Sequence, residues 1–265
     1  VASIAIIGAN GKMGSLICGA LREAGEAHEV NAVVRRGRGR ISRFEGSRFR
    51  ITTDARRAIS SSDIAILCLK PDQFEGWLKQ NGSAISRDKP LLSCMTGFSP
   101  DRLAEMTSAR NVAQFMPSIV MEHGRIFLPV AFGSNLAPTK KFQIRRVLSG
   151  FGKVQVVHQN EMPKYTLVSM APALFSSFID SLAVNSGIPR EHALSMLIES
   201  MPGTSAMLRS SDPTKVIAKA RTPGGWTDVA LTTLEGSGLN RMSKRMFDAL
   251  KRKHVASGWL KEKKK

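Results

Sequence analysis

The chain has 265 residues, 42% of them hydrophobic, which suits one large domain or two smaller ones with buried cores and excludes a disordered chain. Its formal charge is +18, from 39 Lys and Arg against 21 Asp and Glu, so its surface attracts nucleic acid or phosphorylated small molecules. The longest apolar runs, such as Ile64-Ala-Ile-Leu-Cys-Leu69, are strand-sized and far short of the ~20 residues that span a bilayer, so neither a membrane span nor a signal peptide is expected.

The three cysteines, Cys18, Cys68 and Cys94, lie in apolar or small-residue surroundings without Cys-x-x-Cys spacing, and read as reduced core thiols of a cytoplasmic protein. The five histidines are widely separated, and no metal site is expected.

Ser3–Ile7 is a nearly continuous apolar run, as for a parallel strand buried on both faces, and it leads directly into Gly8-Ala9-Asn10-Gly11-Lys12-Met13-Gly14. Leu16, Ile17, Ala20 and Leu21 follow at helical spacing. Strand, glycine loop and helix in that order are the context in which such a loop cradles a dinucleotide pyrophosphate, although the spacing is G-x-x-G-x-x-G, one residue longer than the usual fingerprint. Val30–Val34 reads as the second strand. At its end, where an NAD-specific protein places an acidic residue, stand Arg35 and Arg36, which favours NADP(H) over NAD(H) because guanidinium groups grip a 2′-phosphate. Seven arginines fall between Arg35 and Arg50, and the stretch from Arg38 to Arg50 reads as a solvated basic loop.

Further strands are expected at 63–69, closed by Leu69-Lys70-Pro71, at 90–94, closed by Met95-Thr96-Gly97, and at 111–115, closed by Met116-Pro117-Ser118. These turns fall along the carboxyl edge of one parallel sheet, where ligands bind. Residues 127–132 and 153–157 complete the sheet. Beyond His158 the pattern turns helical, with Leu167, Ala171, Leu174, Phe178 and Leu182 on one helix that Pro172 should kink. A second helix starts near Pro189, a shorter one follows Asp212-Pro213, and the last runs from Leu239 to about Lys253. The expected fold is α/β, with an N-terminal Rossmann-type doubly wound parallel sheet over 1–160 and a C-terminal all-helical dimerisation domain over 161–265. Its apolar helix faces call for a homodimer.

Between the helices lies Thr222-Pro223-Gly224-Gly225-Trp226-Thr227, a tight turn at the start of a helix. Unpaired amides at a helix start favour anions, so this loop reads either as a second cradle, for a small acid beside the nicotinamide, or as a plain Pro-Gly turn.

These residues resemble the pyrroline-5-carboxylate reductase family from the first strand to the last helix. The likeness rests on the Gly8–Gly14 loop, Leu69-Lys70-Pro71, Ser93-Cys-Met-Thr-Gly97, Phe115-Met-Pro117, Ala171-Pro172-Ala173, Gly203-Thr-Ser-Ala-Met207, Thr222-Pro-Gly-Gly-Trp-Thr227 and Leu234-Glu235-Gly236. The resemblance implies NAD(P)H-dependent reduction of a cyclic imine that bears a carboxylate, in a homodimer or higher homo-oligomer. It implies that the amides of Gly224, Gly225, Trp226 and Thr227 hold the carboxylate, with Thr227 beside the substrate and Thr222 in the place of the usual serine. Four positions depart from the family pattern: the longer glycine loop, Ser169-Met170 before Ala171, Ser118 after Met-Pro, and Trp226 where the family has a small residue. Pro117, Ser118, Met170 and Trp226 therefore belong to the expected substrate surroundings, and the bulk of Met170 and Trp226 suits either a changed substrate or a paralogue without this reaction.

Hydride transfer from a reduced nicotinamide asks the protein mainly to position two reactants. Ser169 and Thr227 are the candidate hydrogen-bond donors to substrate, and both also suit helix-end capping. The other readings are reduction of a different imine or another NADP-linked redox reaction, and an RNA-binding role for the Arg35–Arg50 segment. The last is disfavoured by an aromatic content of only 6%.

Overall fold

The computed structural model describes residues 2–23, 28–37, 39–124 and 126–256. Strands β1 (Ser3–Ile7), β2 (Glu29–Val33), β3 (Phe49–Thr52), β4 (Ile64–Leu67), β5 (Leu91–Ser93), β6 (Val112–Phe115), β7 (Ile126–Phe132) and β8 (Gly152–Val156) form one sheet in the order β3-β2-β1-β4-β5-β6-β7-β8. The strands from β3 to β6 are parallel; β7 runs antiparallel to β6, and β8 parallel to β7. The strand order reverses between β1 and β4, which makes that crevice the topological switch point.

Alternation along β1 sends its side chains to two cores. Ile4 and Ile6 pack with Ile17, Cys18 and Leu21 of helix α1 (Lys12–Glu23) and with Ile144 and Leu148 of α5 (Pro138–Ser149). Ala5 and Ile7 pack on the other face with Ile59 of α2 (Ala55–Ser60), Phe74 of α3 (Pro71–Asn81) and Leu103 of α4 (Pro100–Thr107). Both faces are covered, which is why the parallel strands are continuous apolar runs.

Two expectations for this half are corrected. The antiparallel β7 interrupts the single parallel sheet. The arginine-rich stretch is not a solvated loop: Gly39–Phe44 forms a 3₁₀ turn with Ile41 buried, and β3 follows with Phe49 buried, while the arginines face water. Arg38 lies outside the described residues.

The chain divides into two compact units, one up to Ser169 and resumed from Lys251, the other Met170–Leu250. In the first, α6 (Met162–Ser169) sets Met162 against Met116 and Ala131. The second comprises α7 (Ala171–Val184), α8 (Arg190–Ser210), α9 (Pro213–Ala220), α10 (Trp226–Gly236) and most of α11 (Leu239–Ala256). Pro172 has no amide hydrogen to continue the ladder, so the expected kink becomes a boundary: α6 ends at Ser169, Met170 caps α7, and Pro172 sits in its first turn. Apolar side chains of this unit face outward, among them Phe175, Phe178, Met196 and Trp226, and among its described residues only Ala183 and Ala193 are buried hydrophobics. By length and composition alone, 159–184 is apolar enough to cross a bilayer.

Candidate functional site

One line of in-register residues crosses the sheet from Thr52 through Val33, Ile7, Leu67 and Ser93 to Gln114. The residues that follow each of them, at the carboxyl edge, include nearly all the cofactor positions expected from the sequence. This is where an open α/β sheet binds its ligand.

The glycine loop is tied to the second strand at its start, with the Gly8 and Ala9 amides both donating to the Val33 carbonyl at 3.2 and 3.0 Å. Gly8 has φ +82°, and a Cβ there would lie 2.8 Å from the Cys68 carbonyl oxygen. The Gly11 amide closes a turn onto the Gly8 carbonyl at 2.9 Å, and α1 starts at Lys12. A Cβ on Gly14 would stand 2.3 Å from the Gly8 carbonyl oxygen and 2.7 Å from the Ala9 Cα. Only glycine lets the helix start lie this close to the loop, so the amides of Lys12, Met13 and Gly14, which have no intrahelical acceptor, open toward the edge. Lys12 is exposed, and α1 has no acidic residue in its first turn to compete for an anion. The cradle fits a pyrophosphate.

Arg35 and Arg36 emerge exposed from the end of β2, where the Val34 amide donates to Thr52 O at 2.9 Å. The next turn doubles back on the glycine loop, and the Arg40 amide donates to Asn10 Oδ1 at 2.8 Å. Asn10, expected as a cofactor contact, therefore spends its side-chain oxygen on the arginine segment.

On the other side of the switch point, Lys70 caps α3 and Pro71 opens it, so a second helix start lies at the same edge. Met95 is held at both ends: its amide donates to Ser93 Oγ at 3.1 Å, and its carbonyl accepts from Gln114 Nε2 at 2.8 Å. Gly97, at φ +91°, then turns the chain, with Thr96 half-buried beside it. Gln114 is fully buried and its Oε1 has no partner. It supports the Met95-Thr96-Gly97 loop, and sequence reading missed it because one glutamine in a buried strand has no periodic signature.

The cysteines sit beneath these loops, all free. Burial pushes the Cys18 thiol up to about 12, and the neighbouring Cys94 together with burial pushes Cys68 well up. Cys18 and the half-buried Cys68 are therefore poor nucleophiles. Among the described residues no group of three or more His, Cys, Asp or Glu is placed to hold a metal.

The Met116-Pro117-Ser118 turn meets the end of α6. Ser118 Oγ donates to the Ser169 carbonyl at 3.4 Å, while Ser169 Oγ donates to the Thr166 carbonyl at 2.7 Å. Pro117 is buried and Ser118 half-buried. The Ser169 proton is thus engaged within its own helix, and its oxygen lone pairs remain. Met170, exposed, belongs to the second unit.

In that unit, the Thr222–Thr227 loop opens α10 as the sequence suggested. The Gly225 amide donates to the Thr222 carbonyl at 2.8 Å, closing the turn, and Gly224 has φ +69°. Gly225 is the N-cap and Trp226 the first helical residue, 94% exposed. Asp228, in the first turn, reaches back so that its Oδ2 accepts from the Gly224 amide at 2.9 Å, while its Oδ1 lies 3.6 Å from Arg221 Nε. Arg221 also pairs with Glu235 at 2.6 Å. Two amides of the expected cradle, Gly224 and Gly225, are therefore satisfied by the loop itself. The amides of Trp226 and Thr227 have no intrahelical acceptor by their position. The Thr227 side chain lies exposed beside them. Asp228 carried no signal in the sequence, because its reach depends on the folded turn.

Residues 160–256 match the family model described as pyrroline-5-carboxylate reductase dimerisation, and residues 3–97 match that of NADP oxidoreductase coenzyme F420-dependent. The chain is similar to the pyrroline-5-carboxylate reductases. It is 27% identical over 201 residues to the pyrroline-5-carboxylate reductase of Corynebacterium melassecola, covering 71% of this chain and 73% of that protein. Its fold is that of a pyrroline carboxylate reductase from Plasmodium falciparum solved with NADP bound, at TM-score 0.85 and 21% identity over 97% of this chain and 98% of the other. The Streptococcus pyogenes 1-pyrroline-5-carboxylate reductase matches at TM-score 0.82 and 24% identity, over 96% and 98%. An N-terminal dinucleotide-type sheet followed by a helical reductase-type dimerisation region is the organisation that the sequence resemblance implied.

Proposed function

We propose that this protein is an NADPH-dependent reductase of a cyclic imino acid, converting 1-pyrroline-5-carboxylate to proline. The reading is carried by the presence in one chain of a tight glycine cradle at the switch point and a reductase dimerisation region that contains the Pro-Gly-Gly loop. When bound, the reduced nicotinamide supplies hydride to the imine carbon. The chain's own residues do the positioning: Gly8–Gly14 and the start of α1 hold the pyrophosphate, Arg35 and Arg36 the 2′-phosphate, and the Leu69–Pro71 and Met95–Gly97 turns bound the nicotinamide side. The Trp226 and Thr227 amides hold the substrate carboxylate, and the Thr227 hydroxyl beside them is an available polar contact to the ring nitrogen. Preference for NADPH over NADH follows from the two guanidinium groups at the end of β2 and the absence of an acidic residue there.

The exposed apolar faces of the second unit fit a homodimer, with a second copy of the chain rather than a bilayer covering 170–184. In this reading the protein is soluble and cytoplasmic, and the basic surface serves anionic small molecules rather than nucleic acid. Light scattering across a dilution series tests the dimer, and a sharp monomer mass would count against it.

The deciding assay follows NADPH oxidation at 340 nm when pyrroline-5-carboxylate is added, with proline identified as product. Absence of turnover by protein that binds NADPH would reject the reading. One observation favours a second reading: the Asp228 carboxylate on the Gly224 amide places a negative charge where a substrate carboxylate would bind, which suits an imine without one. The same assay with 1-pyrroline separates the two.

A further inference from the structure

The extra residue of the glycine loop, Asn10, does more than lengthen a turn. Its side chain leaves the loop and accepts the Arg40 amide at 2.8 Å. It packs so closely on Gly39 that a Cβ there would lie 2.5 Å from both terminal atoms of Asn10, and Gly39 has φ +40°. The segment it holds is anchored at several further points. Ile41 is buried at 1% exposure, Ser42 Oγ donates to Gly39 O at 2.9 Å, and Arg22 of α1 donates to the Arg43 carbonyl at 2.7 Å. The Phe44 ring lies against Gly19 and under the guanidinium groups of Arg22 and Arg43. Arg40 is thus fixed by its backbone to the glycine loop, on the same flank of the sheet edge as Arg35 and Arg36. All three are exposed, and among the described residues none of them enters an ion pair. Three uncompensated guanidinium groups next to a pyrophosphate cradle call for a ligand with a further phosphate.

We propose that Arg40 is a third guanidinium of the 2′-phosphate site of NADP(H) and that Asn10 is its positioning residue, coupling the pyrophosphate loop to cofactor choice. The inference rests on the cofactor reading above. It assigns to the basic stretch a role that sequence reading gave to Arg35 and Arg36 alone.

Binding of adenosine 2′,5′-bisphosphate and of 5′-ADP to the full chain, measured by calorimetry, tests it without any need for turnover. Arg40→Ala is expected to weaken the 2′-phosphorylated probe about tenfold, the worth of one charge-assisted contact, and 5′-ADP less than twofold. Asn10→Ala and Gly39→Ala, which break the same strut from its two sides, are expected to reproduce that selective loss. The double variant Asn10→Ala/Arg40→Ala should lose no more than Arg40→Ala alone, and Arg40→Lys should recover part of the loss. Equal weakening of both probes by Arg40→Ala, or no weakening of either, overturns the proposal. A paired Arg35→Ala/Arg36→Ala variant distinguishes the two levels: if it discriminates between the probes while Arg40→Ala does not, only the Arg40 assignment fails. If neither discriminates, the 2′-phosphate reading fails with it.

Discussion

The Asp228 carboxylate is the group in the second loop whose removal tells most about the substrate. Asp228→Asn keeps an oxygen to accept from the Gly224 amide, now 2.9 Å away, and removes the charge. A substrate carboxylate held by the next two amides would sit about 5 Å from Asp228, where two unit charges repel by roughly 0.8 kcal/mol at a dielectric of 80 and about 3 kcal/mol at 20. Arg221, 3.6 Å from Oδ1, offsets part of this, but it is shared with Glu235. The expected net effect is about 1.4 kcal/mol, a tenfold fall in KM for pyrroline-5-carboxylate. For 1-pyrroline, which has the same ring and no carboxylate, KM should stay level or rise, because the protonated imine loses a nearby anion. The loss of an acidic residue from the first turn of α10 should cost about 0.3–1 kcal/mol of stability, a small fall in the melting temperature. The assay is steady-state NADPH oxidation with both imines at low and high salt, and the ratio of their kcat/KM values should shift about tenfold and shrink with salt. A ratio unchanged within twofold at low salt would refute the reasoning, because no placement of the substrate carboxylate on these amides escapes the charge.

Three other outcomes follow from the packing. Gly14→Ala puts a methyl group 2.3 Å from the Gly8 carbonyl oxygen, so helix and loop must part; about 1–3 kcal/mol of stability and most of the NADPH affinity should go, read by urea titration and fluorescence. Gly224→Ala meets nothing within 4 Å and pays only for φ +69°, about 1–2 kcal/mol, with NADPH binding intact; a loss of NADPH affinity there would contradict separate roles for the two loops. The Ser3 amide and hydroxyl, at 2.8 and 2.9 Å, hold the Asp63 carboxyl below its usual value, so its contribution is present above the unfolded value and fades as pH falls through the folded one. Asp63→Asn should therefore be less stable than the parent at pH 7, with the gap closing as pH falls below the usual carboxylate value; a gap independent of pH would show that shape rather than charge is at stake.

How far the sequence discloses this molecule depends on whether a feature is local. The first strand, glycine loop and helix are legible because each step is written in consecutive residues: an apolar run, a breaker, then helical spacing. β3 is not legible, because Arg48 and Arg50 alternate with Phe49 and Ile51 on an edge strand, and a charge-rich stretch reads as solvent-exposed unless its apolar half is weighed separately. The reversal of β7 is hidden for another reason. A strand made entirely of apolar residues carries no mark of direction, so Ile126–Phe132 would read the same in either direction. The site residues divide in the same way. Gly8, Gly14 and the Pro-Gly-Gly loop announce themselves, whereas Gln114, Asn10 and Asp228 act through partners 19, 30 and 4 residues away and gain meaning only once the turn or sheet edge has formed.

The difference between the two loops also bears on how the substrate side is built. The cofactor loop is braced by a sheet and helix start whose two faces are each packed by a buried core, so its geometry belongs to one chain. The second loop belongs to a unit in which the buried hydrophobics among the described residues are two alanines, while Phe175, Phe178, Met196 and Trp226 face outward. Its other apolar side chains are at best half-buried, a small core to set against the conformational entropy of ordering five helices. In the homodimer reading, the missing apolar burial comes from the second copy, and the Thr222–Thr227 geometry is then a property of the dimer. NADPH affinity should survive dilution below the dimer's dissociation constant, and imine reduction should not.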